Sequence, residues 1–315
     1  MSDIDISVIV CTYNRPQLLA RIIKSLLKQG YSADKYEIIV VDNCPQHASD
    51  FVVKTFLSQT RVKIYYLMEK KLGLSAARNT GIKIAKGDII AFIDDDALAD
   101  PHWLSAIVSS FTNNQPICVG GKILPLWPPD VKKPAWLTPY LKGYLSILDY
   151  GDKTKEIKEF PYFFGTNISF RKNAFKKYGY FRTYLGRKGN SLVAGEDTDF
   201  CARLVENGEK LLYNPEAVVH HLIAPERLKK DYFRKAVYNS GRSQSLRYYE
   251  KLSRLKIFLI IAGALPLTIF RLIIALIYRL KGDRTRGINF YYYALFLMGY
   301  TFGIFENIFA KKTKN

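Results

Sequence analysis

The chain is poor in the residues that build sulfur-based scaffolds. Its four cysteines, Cys11, Cys44, Cys118 and Cys201, are widely spaced and form no CxxC pair. That argues against a disulfide framework or a zinc finger and fits free thiols in a reducing compartment. Its first residues, MSDIDISVIV, lack the basic stretch and long apolar region of a signal peptide. There is no convincing internal repeat and no low-complexity tract. Acidic residues are in deficit, with 28 Asp+Glu against 47 Lys+Arg and a net charge of +19. What is present is apolar material, at 48% hydrophobic and 14% aromatic residues. That share excludes a mostly disordered chain. The 315 residues allow one large domain or two modest ones. The charge points to nucleic acid, a membrane surface or an anionic substrate.

The location of the charge narrows that choice. Residues 225–315 hold 18 Lys+Arg and 5 Asp+Glu, a balance of +13, which leaves +6 for the first 224 residues. The same tail is the most hydrophobic part of the chain. Residues 257–270 (IFLIIAGALPLTIF) and 288–305 (INFYYYALFLMGYTFGIF) carry no charge, and 272–278 follows after Arg271. Basic clusters border the runs: Lys251, Arg254 and Lys256; then Arg279, Lys281, Arg284 and Arg286; then Lys311, Lys312 and Lys314. Basic patches interleaved with apolar runs this long suit membrane association. A span needs about 20 apolar residues. The second run nearly qualifies, and the first does so only by including Pro266 and Arg271. Two spans would put the positive 279–287 loop outside, against the positive-inside rule. An in-plane or re-entrant pair kinked near Gly263 and Pro266 keeps all the basic segments on one side. Two helices buried on the main domain are the alternative.

The first hundred residues alternate strand and helix. Residues 6–11 (ISVIVC), 36–41 (YEIIVV), 62–67 (VKIYYL) and 88–93 (DIIAFI) are continuous apolar, β-branched runs, as strands buried on both faces require. Between them, Pro16 opens a helix with Leu18, Leu19, Ile22, Ile23, Leu26 and Leu27 at helical spacing. Gly30 is expected to end it. Residues 51–57 and 75–85 also read as helices, the latter stopped by Gly87. This alternation predicts a parallel α/β sheet, whose ligands collect at the carboxyl ends of the strands. Thr12, Asn14, Asp42, Asp94, Asp95 and Asp96 sit at those ends and should share one crevice.

Three adjacent aspartates repel one another unless a cation neutralises them. Hard oxygen ligands suit Mg²⁺ or Mn²⁺ bridging to a phosphorylated substrate. An acidic helix cap is the plainer reading, but Asp100-Pro101 already supplies one. Glu196, Asp197 and Asp199 precede an apolar helical pattern at Phe200, Leu204 and Val205. They can be a dipole-favoured helix start or a carboxylate poised to take a proton. One of His220 and His221 can complete the metal shell or meet a diphosphate.

Taken in order, VIVCTYNRPQLL, IIVVDN, GLSAARNTGIKIAKGDIIAFIDDDA, FFGTNISFRKNAF, AGEDTDFCARLVENG and PEAVVHH followed by PERL resemble the family 2 glycosyltransferases over about residues 5–245. The resemblance implies the GT-A fold, a Rossmann-like, mostly parallel mixed sheet flanked by helices, as a catalytic domain at 1–245. Residues 246–315 form a basic, hydrophobic, helical membrane-associating region on the physical argument alone. The resemblance also implies roles. Thr12, Asn14, Arg15 and Asp42 line the nucleotide pocket, and Arg78 approaches the nucleoside or diphosphate. Asp94 and Asp95 contact the nucleotide sugar. Asp96 and His221 hold Mn²⁺ or Mg²⁺, and Asp197 is the general base with Glu196 orienting acceptor or base. Gly165, Thr166 and Asn167 lie on the acceptor side. Apart from the resemblance, Trp136 with Trp127, Tyr140 and Tyr144, in a Pro-rich stretch between the two acidic sites, can form an acceptor platform or lid, or a packed surface loop.

The expected activity is inverting, metal-dependent transfer from a UDP- or GDP-sugar to a saccharide or lipid-linked acceptor. Cell-surface polysaccharide or glycolipid assembly in a bacterium, at the cytoplasmic face of the membrane, is the natural setting. A sugar nucleotidyltransferase would carry a Gly-rich, Lys/Arg-bearing signature near its N-terminus, which CTYNRPQLL is not. A non-catalytic membrane-bound nucleotide-sugar scaffold would not need both carboxylate clusters. Specific nucleic-acid binding is not expected.

Overall fold

A computed structural model describes residues 4–46, 48–129, 131–189, 192–249 and 252–312. Of the basic clusters, Lys251 and Lys314 lie outside these residues. The chain divides into two compact units. The first comprises Met1–Leu126, Ser146–Tyr184 and Glu196–Leu222; the second comprises Trp127–Leu145, Leu185–Gly195 and Ile223–Asn315. The division expected after residue 245 falls inside a helix, Lys230–Tyr248, because the second unit starts earlier and draws in two upstream segments.

The first unit begins β1 (Ile6–Thr12), α1 (Pro16–Leu26), β2 (Tyr36–Asp42), α2 (Asp50–Leu57), β3 (Lys63–Met68), α3 (Leu74–Ile84) and β4 (Ile89–Asp94). β2 is buried along its whole length, as its unbroken apolar run requires. The strands pair in parallel in the order β3-β2-β1-β4, with Ile6 opposite Tyr36 and Ile89. α1 buries Leu19, Ile22, Ile23 and Leu26 and starts at a proline. It stops at Leu26, before Gly30, whose N–H instead donates to the Pro101 carbonyl. Gly87 likewise lies beyond the helix it was expected to stop. A Cβ there would sit 2.6 Å from the Ser7 backbone nitrogen, so this glycine serves the close approach to β1.

The sheet continues with β5 (Ala97–Ala99), β6 (Cys118–Leu126), β7 (Lys155–Glu156), β8 (Asn167–Arg171) and β9 (Leu211–Leu222), in the order β4-β8-β6-β9-β5, with β7 also on β9. β8 is antiparallel to both neighbours, while β6 and β9 are parallel. α4 (Trp103–Asn114) starts after His102, and Asp100 forms the turn before it, its Oδ1 accepting from His102 N at 3.1 Å. The short α5 (Pro139–Lys142) belongs to the second unit, whereas α6 (Lys172–Tyr178) and α7 (Glu196–Glu206) close the first. Phe92, Phe170, Phe175, Phe181 and Phe200 interlock beneath the site, mostly edge to face.

In the second unit, α8 (Lys230–Tyr248), α9 (Arg254–Leu280) and α10 (Arg284–Lys312) pack as a helical group. α9 runs unbroken through Pro266 and Arg271, fusing the two runs read separately in the sequence. It is the one described helix long and apolar enough to cross a membrane, and only 11% of its most apolar window is buried. A helix packed into the core would be covered. α10 falls short as a span because tyrosines and glycines dilute its apolar run, and the glycines do other work. A Cβ at Gly299 would lie 1.9 Å from the Tyr238 carbonyl oxygen, and one at Gly241 2.1 Å from that of Phe296. These glycines let the α8 and α10 backbones touch, and Arg242 on α8 clasps Glu306 on α10 through two 2.9 Å bonds. Gly299→Val is expected to destabilise this unit by about 1–3 kcal/mol through overpacking, seen as faster limited proteolysis within 223–312 in detergent.

Candidate active site

The parallel half of the sheet ends in polar groups because its strands stop where their apolar runs stop. At the end of β1, Thr12 Oγ1 donates to Asp95 Oδ2 at 2.8 Å. Asp95 follows β4 and is buried. Arg15, on the turn after β1, reaches Asp95 Oδ1 at 2.6 Å and Asp96 Oδ2 at 3.2 Å. Burial pushes the Asp95 carboxyl up to about 7, against the pull of Arg15. Asp96 Oδ1 lies 3.3 Å from Nε2 of His221 on β9. Strand alternation buries His221 and leaves its neighbour His220 half-buried, so His221 is the histidine at the cluster. Among the described residues, no three His, Cys, Asp or Glu side chains form a ready metal cage.

Arg78, from α3, joins the two acidic clusters. Its Nη1 is 2.6 Å from Glu196 Oε1, and its Nη2 is 3.3 Å from Asp94 Oδ1. The guanidinium is buried at 3% exposure and lies against the Phe92 and Phe181 rings. Its pKa is driven upward by Glu196 and Asp94 in spite of that burial. A Cβ at Gly165 would lie 2.1 Å from Nη2, so only glycine leaves room for it. Next along the chain, Thr166 Oγ1 donates to Asp94 Oδ2 at 2.6 Å. The Gly165 N–H donates to Asp197 Oδ2 at 2.7 Å, and the Thr198 N–H to Asp197 Oδ1 at 2.6 Å. Asp94, Glu196 and Asp197 are thereby tied to one cationic hub and one short loop.

Glu196 opens α7 and is buried, with Oε2 finding no hydrogen-bond partner among the described residues. Burial, then the neighbouring Asp197 charge, pushes its carboxyl up to about 7 against the pull of Arg78. An acid raised in this way binds more protons folded than unfolded between its ordinary value of 4.5 and about 7. Stability contributed by Glu196 is therefore lost as pH rises through that window. Melting curves from pH 5 to 8 should show the wild type losing ground to Glu196→Gln. The opposite sign would mean that Glu196 folds ionised.

Several expected residues are occupied differently. Asp42 is buried, and its oxygens accept from Cys44 N at 3.0 Å, Ser49 N at 2.8 Å and Tyr66 Oη at 3.0 Å. It organises its own loop, and only Oδ1 keeps evident capacity for a further donor. Asn14 is exposed and takes a positive φ of 51°. Asn167 is not free to meet an acceptor, since it donates to the Lys122 and Ala217 carbonyls and accepts from Trp103 Nε1. It staples the register break between β6 and β9 at Gly121/Lys122. Trp136 belongs to the second unit and packs edge-on against Phe233 at 5.0 Å. Tyr140 and Tyr144 are in van der Waals and hydroxyl contact there too, at 3.1 Å between their oxygens. Asn43 went unread in the sequence. Its side chain accepts from Gly73 N and donates to the Glu69 and Lys71 carbonyls, fixing the entry to α3 and hence Arg78. Its place directly after Asp42 was the available signal.

The family model for glycosyl transferase family 2 matches residues 7–179. The chain belongs to glycosyl transferase family 2. Among relatives of this family 2 member, a glucosyl-dolichyl phosphate glucuronosyltransferase of Haloferax volcanii is 30% identical over 72% of this chain and 72% of its own. The succinoglycan biosynthesis protein ExoM of Rhizobium meliloti is 27% identical over 77% of this chain and 74% of its own. A mannosyltransferase from Pyrobaculum calidifontis, solved in complex with GDP-Man and Mn²⁺, superposes with a TM-score of 0.57 at 19% identity, covering 80% of this chain and 67% of that one. The family 2 chain thus has the GT-A fold and is a glycosyltransferase.

Proposed function

We propose that this glycosyltransferase moves a sugar, with inversion, from a nucleotide diphosphate sugar to a hydroxyl of a lipid-linked or saccharide acceptor. The observation that carries the reading is the buried Arg78, which links Glu196 to Asp94 and so draws both acidic clusters into one site. A nucleotide-binding sheet alone would not require the second cluster.

In this reading Asp197 takes the proton of the acceptor hydroxyl as its oxygen bonds to the anomeric carbon. The bond to the diphosphate breaks on the opposite face, and its electron pair leaves with the diphosphate. The Gly165 and Thr198 N–H groups hold the Asp197 carboxylate in place. Proton transfer by a positioned carboxylate is worth about 10²–10⁴ in rate. Arg78 orients Glu196 and Asp94 and adds positive potential at the site.

Asp96 and His221 fit a divalent cation. They offer one carboxylate and one imidazole 3.3 Å apart, and Mg²⁺ or Mn²⁺ commonly takes only one or two protein ligands, with phosphate oxygens supplying others. Arg15 balances Asp95 and Asp96 meanwhile. When bound, the ion would stabilise negative charge on the leaving diphosphate. The Mn²⁺ complex of the Pyrobaculum enzyme supports this assignment.

The name of the Haloferax relative supports a lipid-linked acceptor and that of ExoM a polysaccharide product. The exposed apolar face of α9 and the basic tail support membrane association. Because nucleotide sugars are made in the cytosol, the site would face the cytoplasm. A panel of UDP- and GDP-sugars, scored for Mn²⁺-dependent hydrolysis, tests the reading; no turnover with any member counts against it. Asp96→Ala is expected to remove the Mn²⁺-dependent part of donor affinity. Calorimetry showing unchanged affinity would refute the ligand role.

A further inference from the structure

The second unit holds a cavity of about 820 Å³ that the transfer chemistry leaves unused. Such a volume suits a small ligand, for which pockets run to about 300–1,000 Å³. Its walls include Trp136, Lys230 on α8, Leu276 and Arg279 at the end of α9, and Arg284 and Tyr291 on α10. Arg234 also lines it, but Asp231 pairs with that guanidinium at 2.7 Å. The nearby Asp283 is engaged with Arg286 at 3.4 Å. Among the described residues, no carboxylate pairs with Lys230, Arg279 or Arg284. Three cations with no carboxylate partner among the described residues therefore line one cavity, whose remaining wall is aromatic and aliphatic apart from the paired Arg234 and Thr285.

The apolar wall says what accompanies the anion. Leu276 is 56% exposed and belongs to the same uncovered run of α9 as Phe270, Ile273 and Leu280. The cavity therefore opens onto the surface best suited to contact lipid. Gly287 holds the two helices together at their turn, since a Cβ there would lie 3.0 Å from the Ala275 carbonyl oxygen. Arg279 and Arg284 are thus set on a close-packed hairpin, and Lys230 on α8 lines the same cavity. Their number matches a phosphate monoester, with a charge of about −1.5 to −2, or a diphosphate, better than the singly charged diester of a bulk phospholipid.

We infer that this cavity binds the phosphate of a lipid phosphomonoester or lipid diphosphate, with the first carbons of the chain against Trp136, Tyr291 and Leu276. The inference rests on the lipid-linked acceptor reading and assigns the acceptor's anchor, not its sugar, to the second unit.

The test uses the full chain and three sets of phosphatidylcholine vesicles. One set carries a small mole fraction of polyprenyl monophosphate, one the same fraction of phosphatidylglycerol, and one neither. Co-flotation should favour the polyprenyl phosphate vesicles over the phosphatidylglycerol ones by about tenfold or more. Inorganic phosphate alone should compete only weakly. Arg279→Gln/Arg284→Gln should abolish the preference, while Lys256→Gln/Lys281→Gln, which removes equal charge outside the cavity, should keep it. Arg279→Lys/Arg284→Lys, a folding-neutral comparison, should retain part of it. Equal binding to both anionic vesicles, equal loss in both Gln pairs, or full competition by inorganic phosphate would overturn the inference. Nucleotide-sugar hydrolysis by the same variants separates the two readings. Retained hydrolysis with no lipid preference rejects the cavity alone, whereas lipid preference without hydrolysis by any variant or the wild type rejects the transferase reading.

Discussion

Asp197→Asn is expected to lower transfer by about 10²–10⁴ while donor affinity stays within a few-fold of wild type. The substitution keeps the size of the side chain and removes its basicity. It also turns one acceptor into a donor between the Gly165 and Thr198 N–H groups, so the loop from 165 to 167 should loosen slightly. That loosening explains a small change in donor affinity but not a large loss of rate. Single-turnover kinetics beside equilibrium donor binding separates the two. Full rate in the variant, or loss of donor binding in proportion to rate, would remove Asp197 as the base.

The second large effect is on folding. Arg78→Met removes a cation buried among Glu196, Asp94, Phe92 and Phe181. Breaking a buried ion pair from one side costs about 3–5 kcal/mol. The remaining carboxylates can relieve part of that by taking protons, since burial already raises Glu196 to about 7. The variant should accordingly be less destabilised at pH 5 than at pH 8 in denaturant titrations. A variant as stable as wild type at pH 8 would mean that the guanidinium does not hold the two clusters together.

β1, β2 and β4 were legible because each is a mainly apolar run, buried on both sides, that stops where the site starts. The positions of Asp94, Asp95 and Asp96 followed from that. β3, at the sheet edge, is at best half-buried and was legible from its β-branched and aromatic residues instead. Arg78 was legible as a family position, but its burial was not, since nothing local in LSAARNTGIKI says which residue the sheet covers. Asn167 misled for the same reason. A polar residue opening a strand resembles a ligand contact until the carbonyls of Lys122 and Ala217 arrive from distant chain. The tail misled in the other direction. Pro266 and Arg271 suggested interruption, yet α9 accommodates both, and the limits of the second unit depend on segments far upstream that no local pattern connects to it.

Residues 165, 166 and 167 each have a separate duty: one vacates space for a guanidinium, one ties Asp94, and one staples two strands. An engineer seeking to redirect the enzyme toward new acceptors would find this tripeptide an unrewarding place to randomise. Nearly every replacement would be rejected for foldability before its effect on selectivity could be read, so libraries are better directed to positions whose side chains hold up nothing else.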